Sequence, residues 1–251
     1  MPLKKIDHVK KGLAHWCAAE PPCIWGKWPS HGDYIRHNVT HEQAEYWMKW
    51  TSAYWYRKPS TLNSPIAFIL PPHLTAFSGD FFVHGVIVES WDKVGRDCPL
   101  VVFQKLTHWQ MSRLLSLPSA ESGVVHGQDM LYWWSRLMRG VEPESFDFPR
   151  LVGVLDRVWR IFEPGLLDVL GTPTKGPDVR ALETLLQEVS ALSDKNQDES
   201  SPKGVKYLPW ADWPDRVLRD NHSGPAYWMQ DVHGGYLCAS DDVMKLWGVR
   251  V

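Results

Sequence analysis

The feature that most constrains the fold is a set of short segments rich in isoleucine, valine and phenylalanine in the first half of the chain. Two stretches within them, Ile66–Leu70 and 86–88, are continuous apolar runs rather than alternating patterns. Such runs are typical of strands that are covered on both faces. We therefore predict strands over 64–70, 81–90 and 100–106. The connections between them suit antiparallel neighbours better than the helical crossover of a parallel βαβ unit, so the sheet is predicted to be mixed or largely antiparallel.

Helical patterns flank these strands and dominate the second half of the chain. Thr40 and Gln43 have the spacing of a capping box, which predicts a helix over 41–57 that stops before Pro59. Further helices are predicted over 109–117, 128–139, 148–162 and 179–193, and a hairpin over 226–239, followed by a last short helix capped by Asp241 or Asp242. These elements predict an α/β fold, a three-layer αβα sandwich with a mixed, largely antiparallel sheet.

Two stretches fall outside this pattern. Residues 1–22 read as a variable lead, and residues 193–204, SDKNQDESSPKG, contain almost no apolar side chain. A segment that buries so little apolar surface gains little from becoming ordered, so we predict a mobile polar segment there. With no internal repeat, the whole chain, 1–251, is predicted to be a single domain.

Charge and hydropathy exclude several classes of protein. The net charge is −2, with lysine and arginine scattered, which disfavours nucleic-acid binding. No apolar run reaches the roughly 18 residues that a membrane span takes. The basic N-terminus is not followed by an apolar region, so no secretory signal is predicted. The four cysteines form no CxxC pair, and reduced thiols in a cytoplasmic protein are expected.

Two short blocks combine glycine, proline and charge in a way that regular secondary structure does not require. The first, WGKWPSHGDY, spans 25–34, and the second, DKVGRDCPL, spans 92–100. Pro29 fixes its own φ and biases Trp28 towards an extended backbone, so the first block is interpreted as a shaped loop. Either it is a well-packed loop that enters the first helix, or it belongs to a surface that another molecule recognises.

The two blocks carry a resemblance to a known family. The first resembles Gly-Lys-x-Pro-Ser-x-Gly-Asp-(Phe/Tyr), the opening motif of the TagF family, and the second resembles the family's Asp-Arg-Val-Gly-Arg-x-Phe-Pro-Leu motif, from which it departs at Lys93 and Cys98. TagF-like proteins are accessory proteins of bacterial type VI secretion systems. The matching residues form the predicted interaction site: Gly26, Lys27, Pro29, Ser30, Gly32, Asp33, Tyr34, Asp92, Gly95, Arg96 and Pro99.

The resemblance, rather than composition or spacing, implies the function. It implies a cytoplasmic, non-enzymatic repressor that acts on type VI secretion after translation. The implied partner is the forkhead-associated scaffold protein of the system, and no cofactor is implied. The implied mechanism is sequestration, because a bound scaffold is withdrawn from the population that activates the apparatus. A structural subunit of the secretion apparatus is the alternative from a different class.

Catalytic and metal-binding readings are weaker. His31, Asp33, His37 and His41 do not have a zinc-ligand spacing, so no metal site is predicted. Ser30 precedes His31 outside a GxSxG elbow, and adjacent side chains do not by themselves make a nucleophile and its base. A hydrolase that uses His31 and Asp33 is kept as an alternative.

The charged residues of the two blocks suggest a pairing. Asp33 and Arg96 have opposite charges, and an unpaired charge is unfavourable when it is buried. We therefore expect the two loops to meet, with Asp33 against Arg96 or the backbone N–H groups beside it. Two other interpretations of Arg96 stay open, namely an anion-binding turn with Gly95 and an internal ion pair with a nearby carboxylate.

Overall fold

A computed structural model of the chain describes residues 19–58, 64–115, 130–144, 146–163, 178–190, 224–231 and 236–248. The predicted mobile segment 193–204 and residues 1–18 of the predicted lead lie outside the described residues. The prediction of a single domain over 1–251 stays a prediction.

The described strands form one seven-stranded sheet in the order β2-β1-β5-β4-β3-β6-β7. Every neighbouring pair in it is antiparallel. The predicted α/β class is confirmed, and the parallel component that a mixed sheet would have does not occur among these strands. The strands are β1 (Cys23–Gly26), β2 (Ile35–His37), β3 (Ile66–Leu70), β4 (Phe82–Val88), β5 (Leu100–Leu106), β6 (Ala226–Gln230) and β7 (Tyr236–Ser240).

The interpretation of 25–34 as an irregular loop was wrong at its start. Trp25 and Gly26 end strand β1, which pairs with both β2 and β5. The strand is only four residues long, so its own sequence carries too little pattern to reveal it. Its extended backbone comes from the two partners that it lies between, one of which is far along the chain.

The helices lie close to their predicted positions. They are α1 (His41–Ala53), α2 (His108–Leu115), α3 (Met130–Gly140), α4 (Phe148–Phe162), α5 (Val179–Ser190) and α6 (Val243–Leu246). The capping box of α1 is confirmed, because Thr40 Oγ1 accepts from Gln43 N–H while Gln43 Oε1 accepts from Thr40 N–H. Helix α1 ends earlier than predicted, and a 3₁₀ turn over Trp55–Arg57 follows it. Asp242 caps α6.

Two apolar clusters share the strands between them. Neighbouring strand residues alternate between the clusters, as Ile24 and Trp25 do in β1, because successive side chains of a strand point to opposite faces. One cluster includes buried residues of α3, α4 and α5, and the other includes Trp47 and Trp50 of α1 together with α6. Because both faces of these strands pack against an apolar cluster, neighbouring residues must both be apolar, which accounts for the continuous apolar runs. The three-layer arrangement itself stays a prediction.

A buried histidine lies within the sheet and makes its stability sensitive to acid. His84 of β4 faces Gln104 of β5, and His84 Nε2 lies 3.1 Å from Gln104 Oε1. Burial lowers the pKa of His84 to about 4, although the hydrogen bond with Gln104 opposes this shift. The imidazole is therefore neutral in the fold at a pH where it is already protonated in the unfolded chain.

We expect wild-type stability to fall as the pH drops from 6.5 towards 4. Over this interval the unfolded chain binds a proton at His84 that the folded chain does not bind. The free energy of unfolding therefore falls by about 3 kcal/mol. Urea unfolding at pH 7.5 and 4.5, for the wild type and for His84→Asn, measures this contribution. The variant should lose distinctly less stability on acidification, and equal losses in the two proteins would contradict the assignment.

Candidate functional site

The two sequence blocks meet in space at one end of the sheet. Gly26 of the first block pairs with Leu100, the last residue of the second block, across β1 and β5. Lys93 N–H donates to His31 C=O at 2.9 Å, and Ser90 Oγ donates to Lys27 C=O at 2.6 Å. We call residues 26–34 and 92–99 together the motif junction. The expectation that the two loops meet is confirmed.

A buried ion pair joins the two halves of the motif junction. Lys27 Nζ lies 2.5 Å from Asp92 Oδ2, and the two side chains are 6% and 0% exposed. Lys27 Nζ also lies 5.1 Å from the centre of the Tyr34 ring, which stacks on Trp25. Two charges withdrawn from water in this way are stable only while they face each other.

The Asp92 carboxylate also organises the turn that follows it. Its Oδ1 accepts from Val94 N–H at 3.1 Å and from Arg96 N–H at 2.9 Å, while Oδ2 accepts from Arg96 Nε at 2.6 Å. Burial alone would raise the pKa of this carboxyl group, but the hydrogen bonds from Lys27, Arg96 and Val94 outweigh it and hold the pKa well below its usual range. Gly95 completes the turn with a φ of +80°.

The turn presents its middle residues to solvent. Val94 is 71% exposed although its backbone is fixed by the bond to Asp92. Lys93 is exposed beside it. The Arg96 side chain bridges back to the first block, since Nη2 donates to Gly32 C=O at 2.9 Å. The outer face of the motif junction is thus a rigid loop with an apolar tip and basic flanks.

The expected pairing of Asp33 with Arg96 was wrong. Asp33 Oδ1 accepts from Tyr34 N–H at 2.7 Å, whereas Arg96 binds Asp92 and Gly32. The interpretation of Arg96 as one half of an internal ion pair is the correct one, and its guanidinium is not directed at a free anion site. The charge pair that joins the blocks is Lys27 with Asp92, because these are the two side chains that point inward.

The backbones of the two blocks also touch. Gly26 has a φ of +139°, and a Cβ built there would lie 2.1 Å from the carbonyl oxygen of Pro99. No side chain fits at this point. Glycine is therefore required at position 26 for two reasons. Only glycine adopts this φ readily, and any side chain would overlap the backbone of the second block.

The histidines of this region are exposed or lie at its edge. Ser30 Oγ lies 2.9 Å from His31 Nδ1, so the adjacent side chains do form the hydrogen bond that the sequence alone did not predict. Asp33 does not orient His31, since its described bond goes to Tyr34. The outer helix residue His41 pairs with Glu45 at 3.3 Å. In the part of the chain that the structure describes, no group of three or more metal-ligating side chains comes together.

Contacts from the 3₁₀ turn that follows α1 extend the motif junction, and no pattern in the sequence predicts them. Lys58 Nζ lies 3.0 Å from Glu89 Oε1 and 3.2 Å from Asp97 Oδ2. Trp55 Nε1 donates to Asp97 Oδ1 at 3.0 Å. Tyr56 beside them is 63% exposed. These partners are roughly thirty to forty residues apart in the chain, and no local pattern marks them.

Comparison with known proteins places this region in a family. Residues 23–131 match the family described as TagF N-terminal domain, type VI secretion system-associated. This part of the chain is a TagF N-terminal domain. The resemblance seen in the two blocks is confirmed, and both lie inside the matched residues. The match indicates an association with type VI secretion.

The chain was also compared with solved structures and with curated proteins. The chain is similar to the crystal structure of PA0076 from Pseudomonas aeruginosa PAO1 at 2.05 Å resolution, with 19% identity over 82% of this chain and 81% of that one, and a TM-score of 0.32. The comparison with curated proteins finds no match. Among the described helices, none has the length and apolar character that crossing a membrane requires.

Proposed function

We propose that this protein is a cytoplasmic, non-enzymatic repressor of type VI secretion that binds the forkhead-associated scaffold protein of the system. The observation that carries the proposal is the TagF domain, in which both sequence blocks fold into one motif junction. Within the junction the charged side chains of Lys27 and Asp92 bind each other and hold its shape, while the apolar side chain of Val94 is left exposed at the tip. That arrangement suits a fixed contact surface better than a reaction centre.

A preformed surface favours sequestration. Because the turn at Asp92–Arg96 is already held by hydrogen bonds, binding loses little conformational freedom there. A repressor of this kind must be present in amounts comparable to its target. A dissociation constant of about 1 μM corresponds to about 8 kcal/mol of binding free energy, and a similar concentration of repressor then holds half of the scaffold.

Overproduction of this protein should block effector release in a strain with active type VI secretion, and the block should grow with dose. Deletion should raise release without any change in transcripts of the apparatus. Val94→Asp should weaken the block strongly, because it places a charge at the apolar tip. The readout is secreted effector against total effector, with transcript levels measured in the same cultures.

Leu74→Asp is the matched control. Leu74 is 45% exposed and lies in the connection between β3 and β4, at the opposite end of β4 from the motif junction, so this variant should repress like the wild type. Unchanged secretion in both the deletion and the overproducing strain would count against the proposal. Co-purification with the assembled apparatus instead of the scaffold would favour a structural subunit.

The alternative of a hydrolase that uses His31 and Asp33 retains one supporting contact, the hydrogen bond between Ser30 and His31. It makes a different prediction from the repressor, because His31→Ala would then abolish turnover without weakening scaffold binding. Under the proposed function, His31→Ala leaves both repression and binding within a few-fold of the wild type.

A further inference from the structure

A small cavity of about 200 Å³ opens beside the motif junction. Its walls come from Trp28, which follows Lys27, from Trp91, which precedes Asp92, and from Val88 at the end of β4. Met138 of α3 and Val141, just after α3, also line it. Trp91 and the rim residue Arg139 are only half-buried, so the cavity is accessible from solvent.

The cavity walls are held in place by the structure itself. The Trp28 indole N–H donates to Phe146 C=O at 3.0 Å. Arg139 Nη2 donates to Ser64 Oγ at 2.6 Å and so ties α3 to the start of β3. Trp91 pairs with Asp97 across the turn of the second block. A ligand therefore meets a formed cavity and loses little affinity to rearrangement of the protein.

The size of the cavity limits what can occupy it. Pockets for cofactors and drug-sized ligands span roughly 300–1,000 Å³, which is larger than the 200 Å³ here. An apolar cavity of about 150 Å³ is known to take one benzene ring. The cavity thus has room for one ring, with little to spare.

The charged groups of the lining already have partners. Glu89 is paired with Lys58 at 3.0 Å, and Arg139 is bonded to Ser64. A charged ligand would have to compete with these contacts, whereas a neutral ring would leave them intact. Of the two tryptophans in the lining, Trp91 is half-buried and offers surface against which another ring packs favourably, whereas Trp28 is fully buried.

We propose that this cavity receives one aromatic side chain of the bound scaffold protein. The inference rests on the proposed function, since the ring belongs to the scaffold segment that lies along the motif junction. A binding hot spot is commonly one aromatic residue seated in a preformed pocket of its partner. The cavity then fixes the register of the scaffold segment, while the loop at Val94 supplies the neighbouring contact.

The first test uses a probe and needs no scaffold. N-acetyl-L-tryptophanamide is titrated into ¹⁵N-labelled full-length protein, with N-acetyl-L-alaninamide as the control. The indole N–H signals of Trp28 and Trp91 should shift saturably with the aromatic probe alone, at a dissociation constant in the millimolar range. Trp91→Phe identifies the Trp91 signal. No shift of either signal, or equal shifts with both probes, overturns the inference.

The second test fills the cavity. Val141→Phe places a ring inside it and should reduce affinity for the scaffold at least tenfold. Val152→Phe makes the same substitution on α4, away from the lining, and should bind like the wild type. Thermal melting checks that both variants are folded. If Val141→Phe unfolds, Pro143→Phe at the rim replaces it, because Pro143 is half-buried and the added ring reaches the same space.

The outcomes separate this inference from the proposed function. If the wild type and a folded plug variant bind the scaffold equally, the cavity inference is overturned while the repressor proposal stands. If the wild type itself does not bind the scaffold, the proposed function fails, and with it the assignment of the ring to the scaffold. Loss of scaffold binding in the plug variant, together with loss of the probe-induced shifts, supports the inference.

Discussion

Asp92→Ala is expected to lower the thermal unfolding midpoint by roughly 10 °C. The substitution leaves the Lys27 ammonium, only 6% exposed, without its partner. It also removes the acceptor of Val94 N–H, Arg96 N–H and Arg96 Nε. Removing one member of a buried ion pair is far more harmful than removing both, because the remaining charge cannot regain its hydration. Circular dichroism or calorimetric melting measures the effect.

The double variant Lys27→Met/Asp92→Leu is the matched control. It deletes both charges, so it should recover a large part of the lost stability although the turn hydrogen bonds stay absent. Asp97→Ala removes an acidic side chain that is 53% exposed from the same block and should shift the midpoint by only a few degrees. A midpoint for Asp92→Ala within about 2 °C of the wild type would show that the pair is not buried as described.

Two of the buried titratable groups, Asp92 and His84, act in different pH ranges. The pKa of Asp92 is held well below its usual range, so the carboxylate stabilises the fold at every pH above its unfolded value near 3.8 and loses this effect only below it. His84 has its pKa lowered to about 4, and its destabilising effect begins as the pH falls below 6.5. Mild acid therefore weakens the sheet before it weakens the motif junction.

The strands of the sheet differ in how far the sequence reveals them. Strands β3, β4 and β5 can be predicted because burial on both faces makes them rich in isoleucine, valine and phenylalanine, with continuous apolar runs over 66–70 and 86–88. Strand β2 has three residues with one buried side chain and one exposed one, and such a length gives no periodic signal. Its extended backbone depends on pairing with β1, so the strand can be recognised only once that pairing is known.

The features of the candidate site also differ in how far the sequence reveals them. The block residues could be recognised from the sequence, but not which charge faces which. Asp33–Arg96 and Lys27–Asp92 are equally acceptable pairs by charge, and the 65-residue separation of the true pair leaves no local trace. Burial decides between them, because Lys27 and Asp92 lie inside while Asp33 and Arg96 are exposed. Burial at this position follows from the pairing of β1 with β5, which is a property of the whole fold.

Gly26→Ala is expected to be the most damaging single substitution in the motif junction, with a loss of about 4 kcal/mol or more in the free energy of unfolding. The new Cβ would lie 2.1 Å from Pro99 O and 2.8 Å from Leu100 Cα. Both are backbone atoms of the neighbouring strand region, which cannot move aside as a flexible side chain does. The φ of +139° adds strain for any residue with a side chain.

Two other glycines of the junction provide graded controls for the same substitution. Gly95 has a φ of +80° but open space around its Cβ position, so Gly95→Ala should lose only the strain, about 1–2 kcal/mol. Gly32 has neither a left-handed φ nor a close neighbour, and Gly32→Ala should match the wild type. Urea unfolding of the three variants should give this order. If Gly26→Ala is as stable as Gly32→Ala, the two blocks do not meet backbone against backbone. The order then separates the glycine that joins the blocks from the glycine that only turns the chain.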